Sequence, residues 1–416
     1  MNFGLIGKKL SHSYSKFIHE NLEIKEYQLL AINHIEEVLG MDLDGFNITN
    51  PFKADIIDYL DEYDDLVKNT QSVNTVINKG KKLYGYNTDY EGFSKLLEKN
   101  KLEVKGKKVI ILGNGASSRT VEYYLNKHQA KSVIKLVRNI KNNNEDTFEN
   151  QAKYMDTDII INTTPVGMYP HNKDQLLINF HHFPNCEYAI DLIYNPYRTK
   201  FLIDAERNQI KTINGLYMLL IQAKKSQEIL LDIQIEQDRV DALYKHLIHQ
   251  HVNIVFIGLP LSGKTYYGKL LSENLNKDWI DTDQKIEDYA KISISQIFKL
   301  SGEDKFREIE RYVIQNIYDK QGIVISCGGG VVLNHKNIDL LKQNGILIYI
   351  NKSIEVINHD NFNSRPLIDS LDDLIKLKEK RYDTYLSVSD IEFTIDEHNP
   401  FSLERLKETI DEYFSD

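Results

Sequence analysis

The chain has 416 residues, 41% hydrophobic and 27% charged, and carries a net charge of −10 at neutral pH. One hydrophobic core rarely extends to this length, so two or three domains are expected. The acidic balance lacks the basic footprint of a general nucleic-acid binder, and no segment approaches the roughly 18 continuous apolar residues of a membrane-spanning helix. Cys186 and Cys327, the only cysteines, lie too far apart to indicate a disulfide framework or a cysteine zinc site. The start, Met1 to Gly7, shows no charged region ahead of an apolar stretch, so a cytoplasmic location is expected.

In chain order, short apolar runs at Phe3–Ile6, Gly45–Ile48, Val109–Leu112, Val133–Val137, Ile159–Asn162, Tyr188–Asp191, Ile254–Ile257, Ile323–Ser326 and Ile346–Ile350 predict strands, with helical stretches between them. That alternation predicts an α/β fold with parallel sheets and crossover helices. Glycine turns after strands stand at Gly7, Gly113 and Gly258, and a long amphipathic segment covers 215–247. The histidine-containing stretch 246–251 reads as a linker, its three histidines being solvated rather than metal ligands.

The first half opens with polar clusters at strand ends: Ser11-His12-Ser13-Tyr14-Ser15, Asn47-Ile48-Thr49-Asn50-Pro51-Phe52-Lys53, Ser72-Val73-Asn74-Thr75 and Gly85-Tyr86-Asn87-Thr88-Asp89. So many hydroxyls and amides suit a ligand rich in hydroxyl groups. A buried lysine held by an aspartate can deliver and recover a proton at a carbonyl or carbinol oxygen, which makes Lys53 and Asp89 the candidates. Taken singly, Lys53 could be a solvated helix start and Asp89 an N-cap. Gly113-Asn114-Gly115-Ala116-Ser117-Ser118-Arg119 then follows a strand and opens a helix, the arrangement that admits a dinucleotide pyrophosphate. The next strand ends in Arg138 with no acid at its tip. A cation there accommodates a 2′-phosphate, which favours NADP(H) over NAD.

The second half carries Gly258-x-x-x-x-Gly263-Lys264-Thr265 directly after a strand, with Pro260, Leu261 and Ser262 inside the loop. Such a loop cradles triphosphate oxygens on backbone N–H groups; Lys264 reaches the β/γ oxygens and Thr265 can hold Mg²⁺. Asp281-Thr282-Asp283 follows, with Asp281 suited to Mg²⁺ directly or through water and Asp283 to the hydroxyl of a phosphoryl acceptor. Arg307 and Glu310 stand one helical turn apart, fit either to orient an arginine toward an anion or to form a plain surface ion pair. Gly328-Gly329-Gly330 allows close backbone approach, and Arg365-Pro366-Leu367 suits a lid that closes a cation on the transferring phosphate.

The ordered motifs of residues 1–245 resemble the shikimate dehydrogenase family, which shows S-H-S-x-S-P, N-x-T-x-P-[FY]-K, V-N-T, N-T-D, G-x-G-[GA]-x-S-R, I-N-x-T-x-x-G-M and G-x-x-M-L-x-x-Q. The resemblance implies a substrate lobe over 1–92, completed by a returning helix near 215–245, around a Rossmann-like NADP lobe over 93–214. It implies that Ser13, Ser15, Asn47, Thr49, Asn74, Asp89, Tyr194 and Gln222 grip a cyclic polyol acid while Lys53 and Asp89 handle the proton. Gly113, Asn114, Gly115, Ala116, Ser117, Arg119, Arg138, Met168 and Gly215 would serve the cofactor, and 3-dehydroshikimate would be reduced by NADPH. Lys16, Asn50, Val137 and Asn142 depart from the family pattern. Residues 252–416 resemble shikimate kinase, with G-x-x-x-x-G-K-[ST], D-[ST]-D, F-R-x-x-E, G-G-G, R-P-L and R-x-x-x-Y in order. That resemblance implies a P-loop kinase domain using ATP with Mg²⁺, in which Arg307 and Arg381 clamp the substrate carboxylate, Asp283, Gly329 and Gly330 hold its hydroxyls, and Arg365 is the lid cation. Asn358 stands where many members carry an arginine. The expected whole is a bifunctional enzyme whose first product is its second substrate, with small molecules rather than nucleic acid or membrane as partners. Two rival readings are a quinate/shikimate dehydrogenase with NAD preference fused to the kinase, and a non-catalytic sensing module attached to an active kinase.

Overall fold

A computed structural model describes residues 1–10, 13–175, 178–357 and 370–415. The chain forms two compact units, Met1–Tyr244 and Lys245–Asp416.

The first unit contains two sheets. Strands β1 (Phe3–Gly7), β2 (Tyr27–Ala31), β3 (Gly45–Ile48), β4 (Glu62–Tyr63), β5 (Thr75–Lys79) and β6 (Lys82–Tyr86) lie in the order β2-β1-β3-β5-β6-β4. This sheet is mixed rather than wholly parallel, because β5 runs antiparallel to both β3 and β6. Between β5 and β6 the reversal is local chemistry: Gly80 (φ 61°) and Lys81 (φ 71°) supply two successive left-handed residues, which a two-residue hairpin turn requires. Helices α1 (Ser15–Asn21) and α2 (Asp65–Thr70) belong to the same lobe.

After α3 (Asp89–Lys99), strands β7 (Lys108–Leu112), β8 (Ser132–Val137), β9 (Glu145–Thr147), β10 (Ile159–Asn162), β11 (Tyr188–Asp191) and β12 (Lys211–Ile213) form a parallel sheet in the order β12-β11-β10-β7-β8-β9. Helices α4 (Ala116–Lys127) and α5 (Lys200–Arg207) are crossover connections. Strand β7 is central and packs on both faces: Val109 and Ile111 meet Phe93 and Leu125, whereas Ile110 and Leu112 meet Phe201 and Leu202. Because Ile111 is fully buried, Ile111→Ala is expected to cost about 2–5 kcal/mol of stability, measured by urea unfolding. The strand order reverses between β7 and β10, and nucleotides bind beyond the strand ends at such a switch point.

The amphipathic segment 215–247 is broken into α6 (Leu216–Leu231) and α7 (Gln237–His251), because Asp232 adopts a left-handed conformation (φ 55°). Helix α6 packs closely on α3, where a Cβ at Gly92 would stand 2.7 Å from the Met218 carbonyl. Residues 246–251, expected as the linker, form the end of α7, and the division of the chain falls earlier, between Tyr244 and Lys245.

In the second unit, β13 (Asn253–Ile257), β14 (Trp279–Asp281), β15 (Val324–Ser326), β16 (Gly345–Lys352) and β17 (Ile391–Ile395) form a parallel sheet ordered β14-β15-β13-β16-β17. Its helices are α8 (Lys264–Leu275), α9 (Thr282–Ala290), α10 (Ile294–Gln315), α11 (His335–Asn344), α12 (Leu371–Val388) and α13 (Leu403–Ser415). Helix α10 is interrupted at Gly302 (φ 78°), so the turns bearing Arg307 and Glu310 begin afresh.

Candidate active sites

In the substrate lobe, Lys53 follows β3 and Asp89 opens α3. Their side chains meet with Nζ 2.5 Å from Oδ2, and the two residues are only 8% and 5% exposed, so Lys53 is not a solvated helix start. The N-cap position belongs to Thr88, which leaves the Asp89 carboxylate for Lys53. Asn74 donates to the other carboxylate oxygen at 2.9 Å, and the same amide lies within reach of Thr88 Oγ1 and Gln222 Oε1. With each oxygen held by a different partner, the aspartate is fixed and orients the ammonium in turn. Tyr194 is hydrogen-bonded to Ser13, its ring centroid lies 5.1 Å from that of Tyr14, and burial pushes its phenol up. The backbone N–H of Ser15 donates to Ser13 Oγ. Thr49 is half-buried and stands beside Gly7, where a Cβ would come 2.6 Å from its methyl.

Asn47 has a different setting. Its carbonyl accepts from Tyr27 and its amide reaches the Asn74 carbonyl, Thr75 Oγ1 and Ser226 Oγ. Every polar atom of this buried side chain has a protein partner, so its geometry is that of a strut beneath the site.

At the end of β11, Asp191 is fully buried and accepts from Asn162 Nδ2, the Ile193 N–H and Thr199 Oγ1. Burial raises its pKa from 3.8 to about 7. Between those values the folded state keeps a proton that the unfolded chain releases, so the contribution of Asp191 to stability falls as pH rises through this window, by a few kcal/mol at most. The neutral, buried His19, lowered to about 3 by burial, has the opposite slope up to pH about 6.5. The difference in melting temperature between Asp191→Asn and the parent is therefore expected to grow in the variant's favour from pH 4.5 to 7.5.

The cofactor loop lies against a cavity of about 860 Å³ lined by Gly113, Asn114, Gly115, Ala116, Ser117 and Arg138, among others. Gly113 has φ 98°, and a Cβ there would stand 2.7 Å from the Thr164 methyl; at Gly115, the N-cap of α4, nothing lies within 4 Å of that position. An open helix N-terminus above a glycine turn fits a pyrophosphate. Arg138 is exposed at the tip of β8, and Lys141 lines the same cavity, so two cations fit a 2′-phosphate. Glu149 and Asp174 also border the space.

The spacing of motifs did not single out Lys141. Its backbone N–H donates to buried Glu145, which also engages the Asn142 backbone and side chain. The absence of an arginine at 142, together with a lysine one position earlier, was the available signal.

Three cofactor candidates have other geometry. Arg119 donates to the Thr70 and Gln71 carbonyls at the end of α2, tying the cofactor lobe to the substrate lobe. A Cβ at Gly215 would collide with the Leu192 backbone, so glycine permits close packing there. Met168 is 42% exposed in the turn after β10.

In the second unit the phosphate loop has Gly258 at φ 146°, Leu261 at φ 67° and Gly263 at φ 91°. A Cβ at Gly258 would come 2.8 Å from the Ile350 carbonyl. Pro260 packs against Gly329 of the glycine run, and Ser262 is buried with no partner for its hydroxyl among the described residues. Lys264 Nζ rests on the Leu259 carbonyl, and Thr265 Oγ1 donates to Asp281 Oδ2 at 2.7 Å. A hydroxyl and a carboxylate joined beside a phosphate loop form an oxygen donor set suited to Mg²⁺. Asp281 also caps α9 by accepting from the Asp283 and Gln284 N–H groups.

Asp283 stands against Gly328, and Arg307 against Gly330, where added Cβ atoms would strike both side chains. Arg307 binds Glu310 at 3.0 Å and Glu303 at 2.9 Å. Glu310 is only 1% exposed, which removes the surface-pair reading; burial raises its carboxyl while Arg307 opposes the rise. Arg381 and Tyr385 both donate to the Gly329 carbonyl, and the buried Arg381 Nε has no partner among the described residues. Two guanidinium groups and a carboxylate thus converge on the glycine run, a setting for an anionic, hydroxyl-bearing ligand. Gly330→Ala is expected to displace Arg307 and raise the KM for the acceptor on the order of tenfold, equivalent to about 1.4 kcal/mol, by steady-state kinetics. Arg365 and Asn358, like Ser11 and His12, lie outside the described residues.

Fold and sites together define a two-lobed α/β nicotinamide-dependent dehydrogenase joined to a P-loop phosphotransferase. The family model for the shikimate dehydrogenase substrate-binding domain matches residues 5–76, and that for shikimate kinase matches residues 260–415. The chain is 37% identical over 261 residues to the shikimate dehydrogenase (NADP(+)) of Clostridium beijerinckii, covering 58% of this chain and 96% of that protein. Among solved structures, shikimate dehydrogenase 1 of Peptoclostridium difficile matches with 36% identity and TM-score 0.55, covering 59% of this chain and 98% of that one. A chorismate mutase/shikimate 5-dehydrogenase fusion protein of Clostridium acetobutylicum matches with 33% identity and TM-score 0.55, covering 59% and 96%. The chain belongs to the shikimate dehydrogenase family through its first unit, and its second unit carries a shikimate kinase domain. No helix among the described residues is long and apolar enough to cross a membrane.

Proposed function

We propose that the first unit reduces 3-dehydroshikimate to shikimate with Lys53 as proton donor, and that the second phosphorylates the shikimate 3-hydroxyl with Asp283 as its acceptor group. The observation that carries the first half is the buried Lys53–Asp89 contact, braced by Asn74. Gly113–Ser117 would hold NADPH, which would supply the hydride for the ring carbonyl carbon. Lys53 then gives its proton to the carbonyl oxygen, and Asp89 holds the lysine in place and compensates its charge before transfer. Ser13, Ser15, Thr49, Tyr194 and Gln222 bind the carboxylate and hydroxyls, while Asn47 supports them from beneath.

In the kinase unit, Arg307 and Arg381 bind the shikimate carboxylate, and the Gly329-Gly330 backbone fixes the ring. Asp283 accepts the hydrogen bond of the attacking hydroxyl and orients it in line. Thr265, and Asp281 directly or through water, would hold Mg²⁺, which would draw charge from the ATP phosphates. Lys264 leaves the Leu259 carbonyl for the phosphate oxygens, and Arg365, outside the described residues, is proposed to add positive charge to them. Free Cys186 and Cys327 accord with action in a reducing cytoplasm.

The pair of cations at Arg138 and Lys141 supports NADP over NAD. Comparing kcat/KM for shikimate and quinate with each oxidised cofactor tests the assignment. Shikimate with NADP⁺ is expected to lead by at least about tenfold, one unit of 1.4 kcal/mol; a clear lead for quinate with NAD⁺ contradicts it.

A further inference from the structure

The kinase unit contains a second cavity, of about 600 Å³. It is formed by segments that precede the N-terminal ends of β13, β14 and β15, together with α13. The phosphate loop follows the C-terminal end of β13, so this cavity lies at the opposite end of the sheet and uses no residue of the proposed kinase chemistry.

Its charged lining is unbalanced. Lys277 donates to the His249 and Gly322 carbonyls and has no carboxylate partner among the described residues. The Lys407 side chain makes no hydrogen bond or ion pair among them, and the carboxylate that attracts it is exposed Glu404, one turn earlier on α13 and outside the cavity lining. His246 and His249 add two imidazoles, and the one lining carboxylate, Asp411, is 3.2 Å from His249 Nε2. Burial without an opposing charge lowers Lys277 to about 8. Lys277 is half-buried, and an ammonium drawn partly out of water with only carbonyl partners is stabilised when an anion meets it. Leu275 and Ile410 give the cavity an apolar wall.

We propose that this cavity binds a small organic phosphate monoester, its dianionic head between Lys277 and Lys407 and its apolar body against Leu275 and Ile410. Ammonium groups from two separate segments match a doubly charged head better than a single carboxylate, and a cavity of this size admits a ring-bearing monoester.

The probe is phenyl phosphate, titrated calorimetrically into the full chain after a non-hydrolysable ATP analogue, Mg²⁺, shikimate and NADP⁺ have filled the two active sites and the redox reaction has come to equilibrium. Saturable binding at one site per chain is expected, weakened at least tenfold by Lys277→Gln and about fivefold by Lys407→Gln. Benzoate, with the same ring and one charge, is expected to bind at least tenfold more weakly. Lys407 lies outside the catalytic machinery, so Lys407→Gln is expected to keep full kinase turnover, which verifies its fold. The proposal is overturned if the parent chain shows no saturable binding, if Lys407→Gln binds phenyl phosphate as the parent does, or if benzoate binds equally well.

Discussion

Lys53→Gln is expected to lower the dehydrogenase kcat by about two to four orders of magnitude, the usual worth of a positioned acid or base, while kinase turnover in the same preparation is unchanged. Glutamine retains a donor that can reach Asp89 Oδ2 but cannot release a proton at neutral pH. It is also a gentler change than alanine, which would leave the nearly buried Asp89 carboxylate without its cation, a loss worth about 3–5 kcal/mol for a buried pair. Since Asn74 still holds the other oxygen, the substrate pocket should keep its shape. The loss is therefore expected in kcat, with KM for 3-dehydroshikimate moved only slightly. An unchanged kcat would remove Lys53 from the proton-transfer role.

Asp283→Asn is expected to slow phosphorylation by a similar two to four orders of magnitude and to leave ATP affinity and dehydrogenase turnover as they were. Asparagine preserves the size of a side chain packed against Gly328 but removes the charge that accepts the hydroxyl. ATP affinity rests on other groups, namely Lys264, Thr265 and the glycine loop. Single-turnover kinetics with ATP binding measured separately distinguishes the two effects, and undiminished phosphorylation would reject the assignment.

Much of the architecture was legible from the sequence where physics acts locally. Each of the nine apolar runs contains a strand core, because interior strands of covered parallel sheets are apolar on both faces. Strand β2 was missed because it has buried Tyr27 but mostly exposed residues after it, as an edge strand does. The hairpin at Gly80-Lys81 was hidden between two polar clusters whose side chains drew attention to ligands instead of to the turn.

The site residues divide in the same way. Lys53, Asp89 and Asn74 could be grouped from their chemistry, but only folding shows that Asn74 holds the far oxygen of Asp89. Asn47 and Arg119 stand in motifs, yet their partners come from distant segments: Ser226 for one and the end of α2 for the other. Spacing carries no record of such contacts. The Arg307–Glu310 pair was ambiguous for the same reason, since the i,i+3 interval is identical for a surface pair and for the buried one observed.

The central claim is that one chain acts twice on the same carbocycle, first by reduction and then by phosphorylation. Its most direct measurement is to incubate the purified chain with 3-dehydroshikimate, NADPH, ATP and Mg²⁺ and to follow products by mass spectrometry. Shikimate 3-phosphate is expected with the full mixture, shikimate alone when ATP is omitted, and neither when NADPH is omitted. Unreduced starting material in the full mixture, or shikimate that accumulates without being phosphorylated, would contradict the account.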